Sequence, residues 1–176
     1  MRFFAFLLLS FFTVTIASSQ ELTQEETKLY KIIMEYRAEQ GLPKIPISNA
    51  LTQVAKIHAK DLHDNKPDSG NCNMHSWSNK GEWTPCCYTS DHARAKCMWD
   101  KPKELTNYPG NGFEIAYWSS AGAGATGALS SWKRSRGHNT VIVNKGIWKT
   151  HPWKAIGIGI YGDYAVVWFG EEEDPN

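Results

Sequence analysis

The chain has 176 residues, enough for one domain and short for two. Its 19 Lys and Arg against 18 Asp and Glu leave a formal net charge of +1, so charge draws it neither to nucleic acid nor to an anionic membrane. Apolar residues make up 41%, which supplies a core and excludes wholesale disorder.

Arg2 precedes an apolar run at 3–14, and the small residues of TIASSQ follow it. This three-part pattern predicts a secretory signal peptide over residues 1–19. Cleavage is expected after Ser19, with Ala17 the second choice. A membrane span needs about 20 apolar residues, and Ser10, Thr13 and Thr15 interrupt this run. The protein is therefore expected to be secreted or periplasmic, with no membrane span.

Residues 23–40 read as a helix. Thr23 with Glu26 forms a capping box, Leu29, Ile32, Ile33 and Tyr36 form the apolar stripe, and Gly41 and Pro43 stop it. Residues 41–47 are an extended connector held out of helix by Pro43 and Pro46. Ser48 caps a second helix over 48–65, whose stripe is Leu51, Val54, Ala55, His58 and Leu62.

Residues 66–111 carry no periodicity and are rich in Gly, Pro, Asn, Cys and Trp. Stretches of this kind are functional or cross-linked. The four cysteines, Cys72, Cys86, Cys87 and Cys97, all fall here. Their spacing fits no C-x2-C or C-x4-C zinc pattern, so an exported chain is expected to form two disulfides. A bond between adjacent cysteines is strained, which leaves 72–86 with 87–97, or 72–87 with 86–97. Residues 101–107 have room for one or two helical turns.

A third helix is expected over 121–135, with Ala125, Ala128, Leu129 and Trp132 on one face. Residues 141–148, rich in β-branched side chains, predict a strand. Residues 155–161 and 164–170 predict a hairpin around Gly162-Asp163. The acidic tail 171–176 is expected to fray.

Taken together, YRAEQGLPKIPISNALTQVAKIHAKDL, HSWS at 75–78, NGFEIAY at 111–117, SSWKRSRGHNTVIVN at 130–144 and the closing hairpin resemble the CAP superfamily. These are the cysteine-rich secretory, antigen 5 and pathogenesis-related proteins, or SCP-domain proteins, here of the bacterial type. The resemblance implies an α+β fold over 23–170, a single-domain α-β-α sandwich with a central antiparallel sheet. It also implies a cleft in which His75, Glu114 and His138 match the first His, the first Glu and the second His. The second Glu of the eukaryotic branch is replaced by Ser135. Two imidazoles and a carboxylate suit zinc with one position open to water, so divalent metal binding by His75, Glu114 and His138 is the expectation.

His58 sits on an apolar stripe and reads as a core histidine with one hydrogen bond. The resemblance implies a supporting place behind the cleft for His58 and Ser135. His63, His92 and His151 read as surface residues, and Glu82, Asp91 and Asp100 as solvated charges. Ser76 follows His75, but without a G-x-S-x-G elbow it reads as structural. Trp77, Trp83, Trp99 and Trp118 are expected to cover a thin core, with the lining of a groove for a sugar or lipid as the alternative. No residue set completes a catalytic arrangement. The leading expectation is a binding or interaction module for a small apolar or glycan ligand, lipid and sterol among them. The alternative is a metal-dependent hydrolase using the same cleft, and a structural role at the cell surface comes third.

Overall fold

The computed structural model describes residues 21–175, and the expected signal peptide lies outside them. Helix α1 runs Gln24–Glu39 and opens with the expected capping box, Thr23 and Glu26 each bonding the other's backbone N–H. Glu26 is 1% exposed and its other oxygen accepts from Ile160 N–H at 3.0 Å, so the cap also ties α1 to the sheet. Helix α2 runs Asn49–Asn65, and the Ser48 hydroxyl accepts from Leu51 N–H at 2.9 Å. Short helices α3, Ala95–Trp99, and α4, Lys101–Leu105, follow in the cysteine-rich segment.

Strand β1 is Gly112–Trp118. Helix α5, Ala125–Arg134, and helix α6, Arg136–Ile142, turn about Ser135. A 3-10 turn at Gly146–Thr150 leads to β2, Ala155–Tyr161, and β3, Tyr164–Gly170. The sheet has order β1-β3-β2 and is antiparallel throughout.

The alternation along the strands sorts two cores. Phe113, Ile115, Ile156, Ile158, Val167 and Phe169 face one way, into a cluster with Leu29 and Ile33 of α1 and Trp132 of α5. Ala116, Tyr164, Val166 and Trp168 face the other way, toward Leu51, Val54, Ala55 and Leu62 of α2. The result is the expected three layers: α2 with the disulfide segment, the sheet, and α1 with α5 and α6.

Three expectations need correction. The run 141–148 is not a strand. It finishes α6, turns at Asn144 with φ 47°, and enters the 3-10 turn. Arg37 holds it there, donating to Ile142 O and, at 2.7 Å, to Asn144 Oδ1. The third helix starts at Ala125 rather than 121, because Gly122 has φ 89° and Gly124 is extended, and no side chain of its own caps it. Glu25 of α1 does so instead, accepting from Ala125 N–H at 3.0 Å. The acidic tail is pinned at Glu172 and Asp174 rather than frayed there: Tyr108 donates to Glu172 O at 2.6 Å, and Asp174 accepts from Ala50 N–H at 3.1 Å.

Both disulfides form, as Cys72–Cys87 and Cys86–Cys97. The second carries α3, which places Ala95, Met98 and Trp99 near the outer side of β1.

Candidate functional site

Glu114 points from β1 to the α2 side of the sheet and is 7% exposed. Its carboxylate lies between two imidazoles. Oε1 is 2.8 Å from His75 Nδ1, and Oε2 is bonded to His58 Nδ1. His58 is fully buried, stacked on Trp77 with ring centroids 4.1 Å apart.

The partners fix where protons sit. His58 Nε2 faces the Ser76 carbonyl at 2.9 Å, an acceptor only, so Nε2 carries hydrogen. A proton is therefore also held between His58 Nδ1 and Glu114. With His75 Nδ1 donating to the carboxylate, the neutral form of the ring carries its lone pair on Nε2. Burial alone raises the Glu114 pKa. The adjacent His58 and His75 outweigh it and hold the carboxyl below its ordinary value of 4.5.

His138, at the start of α6, lines the same cleft. Burial first, then the nearby His75, lower its pKa below 6.5, against a smaller raising effect from Glu114. The cleft has a volume of about 770 Å³, within the range of small-ligand sites. Trp99, Phe113 and Trp148 form an aromatic wall, with the Phe113 ring 5.8 Å from Trp99 and 5.2 Å from Trp148. Ile147 stands at the mouth and is 79% exposed.

The fold thus brings His75, Glu114 and His138 to one cleft. It also brings buried His58 into direct contact with Glu114, where it makes two hydrogen bonds rather than one. Ser135 is not among the residues lining the cleft. The zinc expectation meets a specific obstacle: both oxygens of Glu114 are engaged by imidazoles. Among the described residues no three His, Cys, Asp or Glu side chains are grouped to hold an ion. As placed, the residues do not fit a three-ligand zinc centre.

Other readings sort as follows. Ser76 is structural: it is buried, and its hydroxyl accepts from Tyr88 N–H at 2.9 Å. His92, read as a surface residue, lines the cleft and bonds the Tyr88 hydroxyl at 2.8 Å. Trp77, Trp83 and Trp99 do pack on the core, and Trp99 also walls the cleft, but Trp118 is 49% exposed and joins neither core cluster. Arg136, Ile147 and Trp148 were missed as cleft residues. Their only signal was proximity in sequence to His138.

The profile of the cysteine-rich secretory protein (CAP) family matches residues 30–165. The chain belongs to that family. Solved structures agree on the fold of this CAP protein. An outer surface protein of Borrelia burgdorferi is 20% identical, with a TM-score of 0.57, covering 87% of this chain and 97% of that one. An extracellular SCP-domain protein of Bacillus anthracis is 16% identical with a TM-score of 0.56, covering 88% of this chain. A cysteine-rich secretory protein of Staphylococcus aureus is 18% identical with a TM-score of 0.51, covering 84%. This CAP chain spans only 45% and 39% of the length of those last two. No curated protein matches it. Among the described residues, no helix is long and apolar enough to cross a membrane.

Proposed function

We propose that this CAP protein is an extracytoplasmic binding module that takes the apolar face of a ligand into the cleft beside β1. One observation carries the reading: an aromatic wall faces a carboxylate whose oxygens are both engaged. Two disulfides suit an oxidising compartment. The named relatives from Borrelia and Bacillus are an outer surface and an extracellular protein. An apolar ligand, such as a lipid or sterol, suits the wall better than a glycan does. Sugar hydroxyls seek acceptors, and Glu114, the carboxylate of the cleft among the described residues, is already engaged.

The test is fluorescence titration with N-phenylnaphthylamine, an uncharged apolar dye. Wild type is expected to bind it, and Ile147→Asp, a change at an exposed mouth position, to weaken binding. Chelator should change neither. Equal binding by both proteins, or loss of binding with chelator alone, overturns the reading.

One feature favours the metal-dependent hydrolase as a second reading. The His75 tautomer set by Glu114 leaves Nε2 free to meet an ion, with the carboxylate orienting the ring from behind. Calorimetric titration with zinc, comparing wild type with His138→Ala, tests it. Saturable binding lost in the variant supports a two-histidine site, and equal heats in both proteins remove it.

A further inference from the structure

A sheet of order β1-β3-β2 has two edges. The outer edge of β2 is covered by the connector between α1 and α2. Ser48 N–H donates to Ile156 O at 2.8 Å, and Ile156 N–H donates to Pro46 O at 3.0 Å. The outer edge of β1 borders the cleft. The cleft touches Phe113, Glu114 and Ile115 in succession. Consecutive strand residues point their side chains to opposite faces, so a space meeting three in a row lies against the edge.

The hydrogen-bond phase of β1 can be read from its end. Ser119 N–H donates to Asp163 O at 3.0 Å, next to the Trp118–Tyr164 pair. Bonded pairs alternate along an antiparallel ladder. Tyr117, Ile115 and Phe113 therefore bond β3, while Ala116 and Glu114 turn their N–H and C=O outward. The Trp132 indole agrees, donating to Ala116 O from the outer side at 2.9 Å. The N–H and C=O of Glu114 have no such partner among the described residues. Unpaired strand-edge groups in a partly apolar cleft are a template for another strand.

Charge points the same way. Arg136 lines the cleft and forms no ion pair among the described residues. The Glu114 carboxylate is already paired, so Arg136 is left as the uncompensated charge of the lining. The lining therefore favours a ligand carrying negative charge.

We propose that the cleft binds an extended acidic peptide as a fourth strand on β1. Its backbone pairs with the N–H and C=O of Glu114. Its apolar side chains lie on Trp99, Phe113 and Trp148, and its acidic group meets Arg136. This mode is strand addition, in which main-chain bonds give affinity and alternate side chains give specificity. The proposal rests on the reading that the cleft is the ligand site, and it names the ligand class.

The probe is a short fluorescein-labelled peptide of alternating valine and phenylalanine ending in glutamate, followed by fluorescence anisotropy. Two further peptides carry N-methyl groups on one or the other alternate set of amides, which removes donors and leaves the side chains. Wild type is expected to bind the parent peptide. One methylated peptide should bind about tenfold weaker or worse and the other as the parent does, because only one edge of the ligand pairs with β1. Arg136→Glu should weaken the parent peptide more than it weakens a control peptide ending in glutamine instead of glutamate, because only the first carries the charge that meets Arg136. Equal binding of the parent and both methylated peptides overturns strand addition. Dye binding without peptide binding also overturns it but leaves the apolar cleft standing, and failure of both removes the cleft as a ligand site.

Discussion

At the scale of the residue, Glu114 is held from both sides by imidazoles. Its carboxylate is buried and satisfied only by His58 and His75. Removing one member of a buried pair costs about 3–5 kcal/mol, since the partners are left unpaired. Glu114→Ala should lose that much in urea unfolding. Glu114→Gln should lose far less. Its amide nitrogen can donate to His58 Nδ1, and its oxygen can accept from His75. If Gln proves as costly as Ala, charge rather than hydrogen bonding holds the cluster.

The same residues set the response to acid. His138 has a folded pKa below 6.5, so the unfolded state binds its proton first as pH falls through 6.5. Stability is lost from there downward. Glu114 has a folded pKa below 4.5, so its contribution is complete above 4.5 and is lost as pH falls through the folded value. Both act in one direction at different pH. Thermal melting from pH 7.5 to 4 should show a steady fall in Tm. His138→Asn should flatten the part near pH 6 and keep the part below 4.5. A variant with the wild-type profile would assign the upper limb to another group.

At the scale of the element, the packing of α2 on β2 is decided by two glycines. A Cβ on Gly157 would sit 2.1 Å from the Leu51 backbone, and one on Gly159 would sit 2.4 Å from the Ala55 backbone. Helix backbone cannot yield as a flexible side chain can. Gly157→Ala or Gly159→Ala should therefore destabilise by about 1–3 kcal/mol or more, through displacement of α2. Because α2 carries His58, the displacement should also weaken dye binding in the cleft. Ile158→Val, on the opposite face, should cost about 0.5–1.5 kcal/mol and leave dye binding intact. Chemical denaturation and dye titration on the three variants separate these outcomes.

At the scale of the whole molecule, the disulfide segment is what turns a sheet edge into a cleft. The bonds Cys72–Cys87 and Cys86–Cys97 close short loops of sequence separation 15 and 11. Such links contribute about 2–4 kcal/mol each. Within the segment, Lys101 is 1% exposed, donates to Thr84 O at 2.6 Å and pairs with Glu104. Reduction should lower Tm and release α3 from β1 before the sheet itself opens. Hydrogen exchange should then show early loss of protection at 95–99 with 164–170 still protected. Simultaneous loss in both segments would make the disulfides part of the global core.

Features that depend on neighbours along the chain were legible in the residues alone. The capping box of Thr23 and Glu26, the stripe of α2, the Gly162-Asp163 hairpin and the presence of two disulfides all belong here. Each follows from local periodicity, capping or cysteine content, which tertiary contacts do not reverse. The family resemblance supplied His75, Glu114 and His138, which no spacing could unite across residues 75–138. The rest came from packing. It chose between two cysteine pairings and gave Glu114 a second partner in His58, 56 residues away in sequence. It also turned the β-branched run at 141–148 into helix and 3-10 turn, because Arg37, more than 100 residues earlier, binds that conformation. The physical reason is common to the last two. A buried donor or acceptor must find a partner wherever the packed layers put one, and that location is a property of the folded layers, not of the order of residues.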